Sequence, residues 1–178
     1  MRGGFLALAL LAFSAGAAPI AASADLDGPP AFLITAVWPD RDPADVDLIV
    51  QDPRDGIVWY RARETEVLRL DRDDRGNFRD PEPLNQEIVS VRGGLPGEYV
   101  VNVSQYALTD VEEPLPVFVR VQAISPVALT VYEKTVEMRR VYEVTVVRFV
   151  LDDAGRITSF TFEDKPLAAA ARTKVGLR

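Results

Sequence analysis

The feature that most constrains the fold of this chain is a repeated alternation of apolar and polar residues in short segments. Tyr99, Val101 and Val103 occupy alternate positions, which places them on one face of a strand. The polar residues Asn102 and Ser104 fall on the opposite face. Period-two patterning of this kind gives one buried and one solvated face, as in an antiparallel β-sandwich.

Segments with strand composition recur about every ten residues, and turn residues separate them. The chain has 178 residues, among them 13 prolines and 11 glycines, and helical periodicity is almost absent after residue 30. We predict strands at Phe32–Trp38, Asp45–Val50, Ile57–Arg61, Glu66–Leu70, Glu87–Arg92, Glu98–Tyr106, Val117–Ala123, Val127–Met138, Val141–Leu151 and Arg156–Phe162. A tight turn at Asp152–Gly155 predicts that the last two strands form a hairpin. The sequence therefore predicts an all-β chain, folded as an antiparallel β-sandwich of the Ig-like or jelly-roll-like kind.

The first 24 residues have the three parts of a secretory signal peptide. Arg2 supplies a positive start, the apolar run Phe5–Phe13 follows, and Ala22-Ser23-Ala24 has the small-x-small pattern of a cleavage site. The run is shorter than the roughly 20 apolar residues that a membrane-spanning helix requires. We therefore expect cleavage after Ala24, a periplasmic or secreted protein, and no membrane span after cleavage. Retention of the segment as an N-terminal anchor is the alternative.

The remainder is predicted to be a single domain with short flanking segments. Residues 25–30 are a linker, and residues 31–164 are the β-sandwich domain. Residues 165–178 are an Ala-rich basic tail, expected to form a weak helix or to be flexible. A domain of this length is large enough to bury a sizeable core without disulfides.

The absence of histidine and cysteine restricts the chemistry that this chain can perform. It removes Ser-His-Asp catalysis, thiol chemistry and most zinc and copper sites. Carboxylate pairs, Ser–Lys pairs and hard cations remain, and calcium is the favoured metal ion. The net charge of −7 argues against nucleic acids and anionic lipids as partners. We therefore expect a protein that is not an enzyme, has no catalytic residues and uses no cofactor, with calcium as the exception to test.

Two acidic segments are the candidates for calcium ligands. Asp45 and Asp47 are two residues apart in a predicted strand, so their carboxylates share a face about 7 Å apart. Asp71 and Asp73 open a second segment that partly matches an EF-hand loop, although an arginine replaces one ligand and no amphipathic helices flank it. These four residues are the candidate ligands of a calcium site. The favoured interpretation is two solvated acidic segments that neighbouring arginines neutralise, and the calcium site is the alternative.

Five aromatic residues suggest either a sugar-binding platform or core positions. They are Trp38, Trp59, Tyr60, Tyr99 and Tyr106. Sugar binding requires at least two exposed coplanar rings, whereas large aromatic residues of a sandwich more often fill its core. We expect core positions.

The region from Trp38 to Tyr106 also contains an ordered set of motifs. They are Asp45-Val-Asp-Leu-Ile-Val50, Pro53 with Gly56, Leu70-Asp-Arg-Asp73 with Gly76, Asn85-Gln-Glu-Ile88, and Gly97-Glu-Tyr-Val-Val-Asn-Val-Ser-Gln-Tyr106. In this order they resemble the YfaP-like bacterial extracytoplasmic domains of unknown function, which are related in outline to prepeptidase C-terminal (PPC-like) β-sandwiches. The segment Arg54–Glu66 departs from that family because it lacks the usual Ser- and Gly-rich turn.

The resemblance implies a β-sandwich accessory domain rather than a catalyst. Some of the related sandwiches bind calcium through loop carboxylates, which would place the four predicted ligand residues near one another. Our first hypothesis is a non-catalytic module that binds a periplasmic or envelope protein partner. The alternatives are a calcium- or carbohydrate-binding module, and a carboxylate-dependent hydrolase such as a glycosidase.

The docking surface is predicted in the region Val127–Phe162, which the family-like motifs do not cover. This region is rich in Val, Tyr and Thr. Its interspersed charges are candidate partner-binding residues, namely Glu133, Lys134, Glu137, Arg139 and Arg140. The same charges would equally serve to protect an unpaired strand edge from aggregation.

Overall fold

The computed structural model of the chain describes residues 29–40, 42–74, 82, 84–106, 114–124, 127–139 and 143–176. The predicted signal peptide and most of the predicted linker lie outside these residues. The described residues form strands β1 (Phe32–Val37), β2 (Asp45–Gln51), β3 (Ile57–Val58), β4 (Leu68–Arg72), β5 (Gln86–Val91), β6 (Gly97–Tyr106), β7 (Leu115–Ala123), β8 (Leu129–Met138), β9 (Glu143–Leu151) and β10 (Ile157–Thr161), followed by helix α1 (Ala168–Lys174). None of this helical structure is long and apolar enough to cross a membrane.

The strands form two antiparallel sheets of five strands each. Sheet A has the order β4-β5-β1-β7-β8, and sheet B has the order β10-β9-β6-β2-β3. Their inner faces enclose one large apolar core. The predicted all-β sandwich is therefore confirmed.

The core follows from the alternation seen in the sequence. On β6, Tyr99, Val101 and Val103 are fully buried. The Tyr99 ring stacks on Phe149 of β9 with centroids 5.1 Å apart. Its hydroxyl donates a hydrogen bond to the Leu95 carbonyl, so the one polar atom of this buried ring is satisfied.

The outer face of sheet B is covered as well, by the segment that leads into α1. Leu167 and Ala171 are buried against Ile49, Trp59 and Val100, forming a second, smaller core. The sequence predicts a weak helix or a flexible segment here. The structure has a short helix, and apolar contacts hold it on the sheet.

The predicted hairpin is present, whereas one predicted strand is shorter than expected. β9 and β10 pair in antiparallel fashion. Asp152 Oδ1 accepts hydrogen bonds from the backbone N–H groups of Ala154 and Arg156, and Gly155 supplies the positive φ of 72° that the turn requires. β3 ends at Val58, because the chain turns back there through a bridge between Trp59 and Ala62.

Candidate functional sites

Three carboxylates from three separate segments meet at one side of the sandwich. They belong to Asp47 on β2, Asp73 just after β4, and Glu87 on β5, and are called the acid cluster below. One oxygen from each lies within 4.8 Å of the other two. The cluster forms where β2 of sheet B approaches β5 of sheet A, so it joins the two sheets.

The pairing of the strands explains how these side chains converge. β3 pairs only with Val50 and Gln51, so no strand covers that side of the preceding part of β2 within the described residues. Glu87 fills this position, because its Oε2 accepts a hydrogen bond from the N–H of Leu48 at 2.5 Å. A register shift between Leu70 and Arg72 then brings the end of β4 toward the same place.

Glu87 is the most unusual member of the acid cluster. Its side chain is fully buried, with 0% of its surface exposed. Oε2 has the Leu48 N–H as a partner, but Oε1 is buried and has no hydrogen-bond partner among the described residues. A buried polar atom without a partner costs about 1–3 kcal/mol and requires an explanation.

Burial and mutual repulsion both disfavour the ionised forms of these groups. Burial raises the pKa of Asp47 to about 8, and the charges of Asp45 and Asp73 add to the effect. Burial also raises the pKa of Glu87 well above its ordinary value, and Asp47 raises it further. The Leu48 N–H acts in the opposite direction but does not compensate. The cluster therefore favours a bound proton or a bound cation.

The structure brings together some of the predicted calcium ligands and separates another. Asp47 and Asp73 belong to the acid cluster, and Asp45 is near enough to raise the pKa of Asp47. Asp71 lies outside the cluster, where its Oδ1 is 3.5 Å from Arg69 Nε and 3.8 Å from Arg92 Nη2. The arginine neutralisation considered in the sequence therefore applies at Asp71.

Glu87 is not among the residues predicted from the sequence, although the sequence contains a signal for it. Glu87, Val89 and Val91 occupy alternate positions of β5 and so share one face, and both valines are fully buried. A charged residue at an inward-facing position of an apolar strand is the signal that identifies it.

Three of the five aromatic residues considered for sugar binding lie in the core. Trp38, Trp59 and Tyr99 are buried, as expected for core residues. Tyr60 is half-buried and lies beside Arg61, whose guanidinium carbon is 5.2 Å from the ring centroid. The side chain of Tyr106 lies outside the described structure.

A different aromatic group is exposed at the opposite side of the sandwich. Tyr132 of β8 lies 5.8 Å from the ring centroids of both Phe160 and Phe162, and these three residues are called the aromatic strip. Phe160 is 37% exposed and Phe162 57% exposed. Val127 and Leu129 are exposed at the start of β8 as well, so four of the six exposed large apolar side chains in the described part of the chain belong to the β8 and β10 segments.

The four edge strands of the two sheets differ in how they are protected. β3 has two residues, and β4 carries charged residues along its length. β8 carries Glu133, Lys134 and Glu137 with exposed side chains. β10, with the sequence Ile-Thr-Ser-Phe-Thr, carries no charge at all. Charged side chains and very short edge strands are both common protections against unwanted strand pairing, and β10 has neither.

The predicted partner-binding residues that the structure describes lie on β8 or directly after it. Glu133, Lys134 and Glu137 lie on β8, and the exposed Arg139 follows directly. Glu133 is 3.3 Å from Arg120 of β7, so part of this charge is neutralised within the chain. Arg140 lies outside the described residues.

Comparisons of the chain with protein-family models, with curated proteins and with solved structures returned no match. The resemblance to the YfaP-like and PPC-like sandwiches therefore stays a prediction.

Proposed function

We propose that this chain is an exported, non-catalytic β-sandwich module that binds an envelope protein partner along β10 and the aromatic strip. The export rests on the signal-like residues 1–24, which lie outside the described structure. The binding function rests on the exposure of the aromatic strip.

Exposed aromatic side chains of this kind are typical of protein-binding surfaces. Phe160 and Phe162 leave much of their apolar area in water, and Val127 and Leu129, at and before the start of β8, are exposed as well. Contiguous apolar patches on soluble proteins frequently mark interaction sites, and aromatic residues supply much of the binding energy there. Tyr132 stands 5.8 Å from each phenylalanine ring, so the three rings present one continuous aromatic surface to a partner.

The neutral edge of β10 supports strand addition as the mode of binding. An extended partner segment gains backbone hydrogen bonds from the free edge, and its alternate side chains contact the aromatic strip. No charged side chain on β10 opposes this approach. The protected edge of β8 lies next to it and would limit pairing to one strand.

A hydrolytic function is disfavoured by the burial of the acid cluster. A glycosidase needs two carboxyl groups that flank a bound sugar in an open cleft. Glu87 is fully buried and Asp47 is only 8% exposed. A sugar ring has no access to this pair.

Site-specific photo-crosslinking in the native host tests the proposal. A photoreactive residue replaces Ser159 on β10 in one strain and Thr135 on β8 in another. The two positions match because each is an exposed hydroxyl residue on an edge strand. We expect a discrete protein adduct from position 159 and a much weaker one from position 135. The partner is then identified by mass spectrometry.

The matched variants are Ser159→Lys, which places a charge on the neutral edge, and Thr135→Lys, which adds one more charge to β8. Ser159→Lys should abolish the adduct and partner binding by the purified protein, whereas Thr135→Lys should retain both. Circular dichroism checks that both variants fold. Equal adducts from both strands, or Asp- or Glu-dependent glycan hydrolysis by the purified protein, would show that the proposal is wrong.

A further inference from the structure

We propose that Asp47, Asp73 and Glu87 form a binding site for one divalent hard cation, with Ca²⁺ as the ion that fits. The site lies on the opposite side of the sandwich from the surface proposed to bind a partner. It is therefore a separate inference and does not depend on that function.

The spacing of the three carboxylates matches a shared ion. One oxygen from each lies within 4.8 Å of the other two. Calcium binds oxygen ligands at about 2.3–2.6 Å, so two ligands of the same ion stand at most about 5 Å apart. Three oxygens in this arrangement therefore surround a single position that an ion can occupy.

The Glu87 carboxylate provides an independent sign that a ligand belongs here. Its Oε1 is buried and has no hydrogen-bond partner among the described residues, although Oε2 is bonded to the Leu48 N–H. Leu48 thereby fixes the orientation of the carboxylate. A metal ion would give Oε1 the partner that the protein does not provide.

The local charge is also suited to a cation. The three carboxylates of the cluster lie close together, and Asp45 is near Asp47, so four acidic groups converge in this part of the sandwich. Arg63 lies 3.3 Å from Asp73, but its side chain is 43% exposed and stays at the rim. Among the ion pairs of the described residues, Arg63 is thus the cation at this cluster, and it contacts Asp73 rather than the buried pair Asp47 and Glu87.

The donor set selects the type of ion. All three donors are carboxylate oxygens, and the chain contains no histidine or cysteine to favour zinc or copper. Calcium accepts irregular oxygen geometry, whereas magnesium requires a near-ideal octahedron at shorter distances. Donors from three different segments suit the more tolerant ion.

Bound calcium would connect the two sheets directly. Asp47 belongs to sheet B, and Glu87 belongs to sheet A. At present the Leu48–Glu87 hydrogen bond makes this connection. Since an unfolded chain does not hold these three carboxylates together, calcium should bind the folded state selectively and stabilise it.

Equilibrium dialysis of the whole chain against radioactive Ca²⁺ provides the primary test. We expect saturable binding of one ion per chain. Thermal unfolding followed by circular dichroism should show a rise in Tm of about 5–10 °C when free calcium exceeds Kd about a hundredfold, compared with chelator. Magnesium at the same concentration should give a smaller rise.

Three amide substitutions locate the site. Glu87→Gln and Asp73→Asn should each weaken calcium binding by at least about tenfold, because each removes a charged ligand. Asp71→Asn is the matched control, since it makes the same change two residues from Asp73 at a side chain that contacts Arg69 and Arg92. It should leave the calcium affinity unchanged.

Two results would overturn the proposal. The first is the absence of saturable calcium binding by the unaltered protein, which is independent of whether any variant folds. The second is an equal loss of affinity in Asp71→Asn and Asp73→Asn, which would indicate diffuse attraction to acidic surface rather than a site.

Discussion

The acid cluster differs in one essential respect from a second group of charged residues, at Glu98. Both groups belong to the same sandwich. Glu98 lies on β6, whereas the acid cluster lies on β2, on β5 and just after β4. Glu98 Oε2 lies 2.6 Å from Arg148 Nη2, and its Oε1 lies 2.9 Å from Lys165 Nζ. Burial raises the pKa of Glu98, but the hydrogen bonds from Lys165 and Arg148 outweigh it and lower the pKa. In the acid cluster, burial and repulsion prevail, and the pKa values rise.

The contrast separates a structural carboxylate from one that needs a ligand. Glu98 receives its positive charges from the chain itself, and Lys165 belongs to the segment that leads into α1. Its role is to attach that segment to sheet B. In the described part of the chain, the buried Glu87 of the acid cluster has no such pair of cations, and its Oε1 has no hydrogen-bond partner.

The pH dependence of stability should show the two groups acting in opposite directions. When a chelator removes calcium, Asp47 of the unfolded chain loses its proton near the ordinary pKa of 3.8. In the folded chain the pKa of Asp47 is about 8, so the proton stays bound up to about that pH. Raising the pH through this window should therefore lower the free energy of unfolding, by up to about 1.4 kcal/mol per pH unit for one retained proton. Denaturant titrations at several pH values measure this slope.

Glu98 should contribute at the acid end of the same profile. Its pKa is lowered from 4.5, so its stabilisation is complete above that value and is lost as the pH falls through the folded pKa. Asp47→Asn should reduce the slope between about pH 4 and pH 8 and leave the acid limb unchanged. If the free energy of unfolding in the presence of chelator does not change with pH, the two groups do not differ in the way described here.

The same amide substitution should change stability with opposite signs at the two sites. In chelator at pH 8, Glu87→Gln should increase the free energy of unfolding by about 1–3 kcal/mol, because the amide needs no proton and can donate to neighbouring carboxylates. Glu98→Gln should decrease it by about 0.5–1 kcal/mol, because its charge pairs are partly exposed. Urea titrations of both variants test the pair, and destabilisation by both would remove the distinction.

A smaller effect should follow from the arginine at the rim of the acid cluster. Arg63 contacts Asp73 at 3.3 Å, so its charge opposes a cation bound there. The repulsion between a divalent ion and a unit charge about 6 Å away in water is about 1.4 kcal/mol, and salt at physiological ionic strength reduces it to about 0.7 kcal/mol. Arg63→Gln should therefore tighten calcium binding about threefold. Calorimetric titration with calcium measures the change. Arg156→Gln is the control, since Arg156 pairs with Asp152 in the β9–β10 turn, and a tighter affinity in both variants would indicate a general charge effect.

Much of the fold was predictable because every second residue along most of the strands faces the core. The alternation at Tyr99, Val101 and Val103 identified an inner face that the structure confirms. The outer face of the same strand was predicted to be solvated, but Val100 and Asn102 are buried there as well. The segment around Leu167 causes this burial, and no local pattern in β6 indicates that a distant segment will cover it.

The acid cluster was only half predictable for a similar reason. Asp45 and Asp47 share a face because β2 alternates regularly, as predicted. Asp71 and Asp73 were expected to act together, but the register shift in β4 separates them. A bulge depends on the pairing between strands, so spacing along one segment does not reveal it.

The position of β1 in sheet A has a consequence for the synthesis of this chain. β1 lies between β5 and β7, so Phe32 pairs with Val91 on one side and Ala123 on the other. Both partners are distant in sequence, and such non-local pairings form slowly. While the chain grows, β1 remains an apolar strand with both edges free, which makes it prone to aggregate. A chaperone that holds this segment until β7 has been synthesised would therefore raise the yield of folded protein.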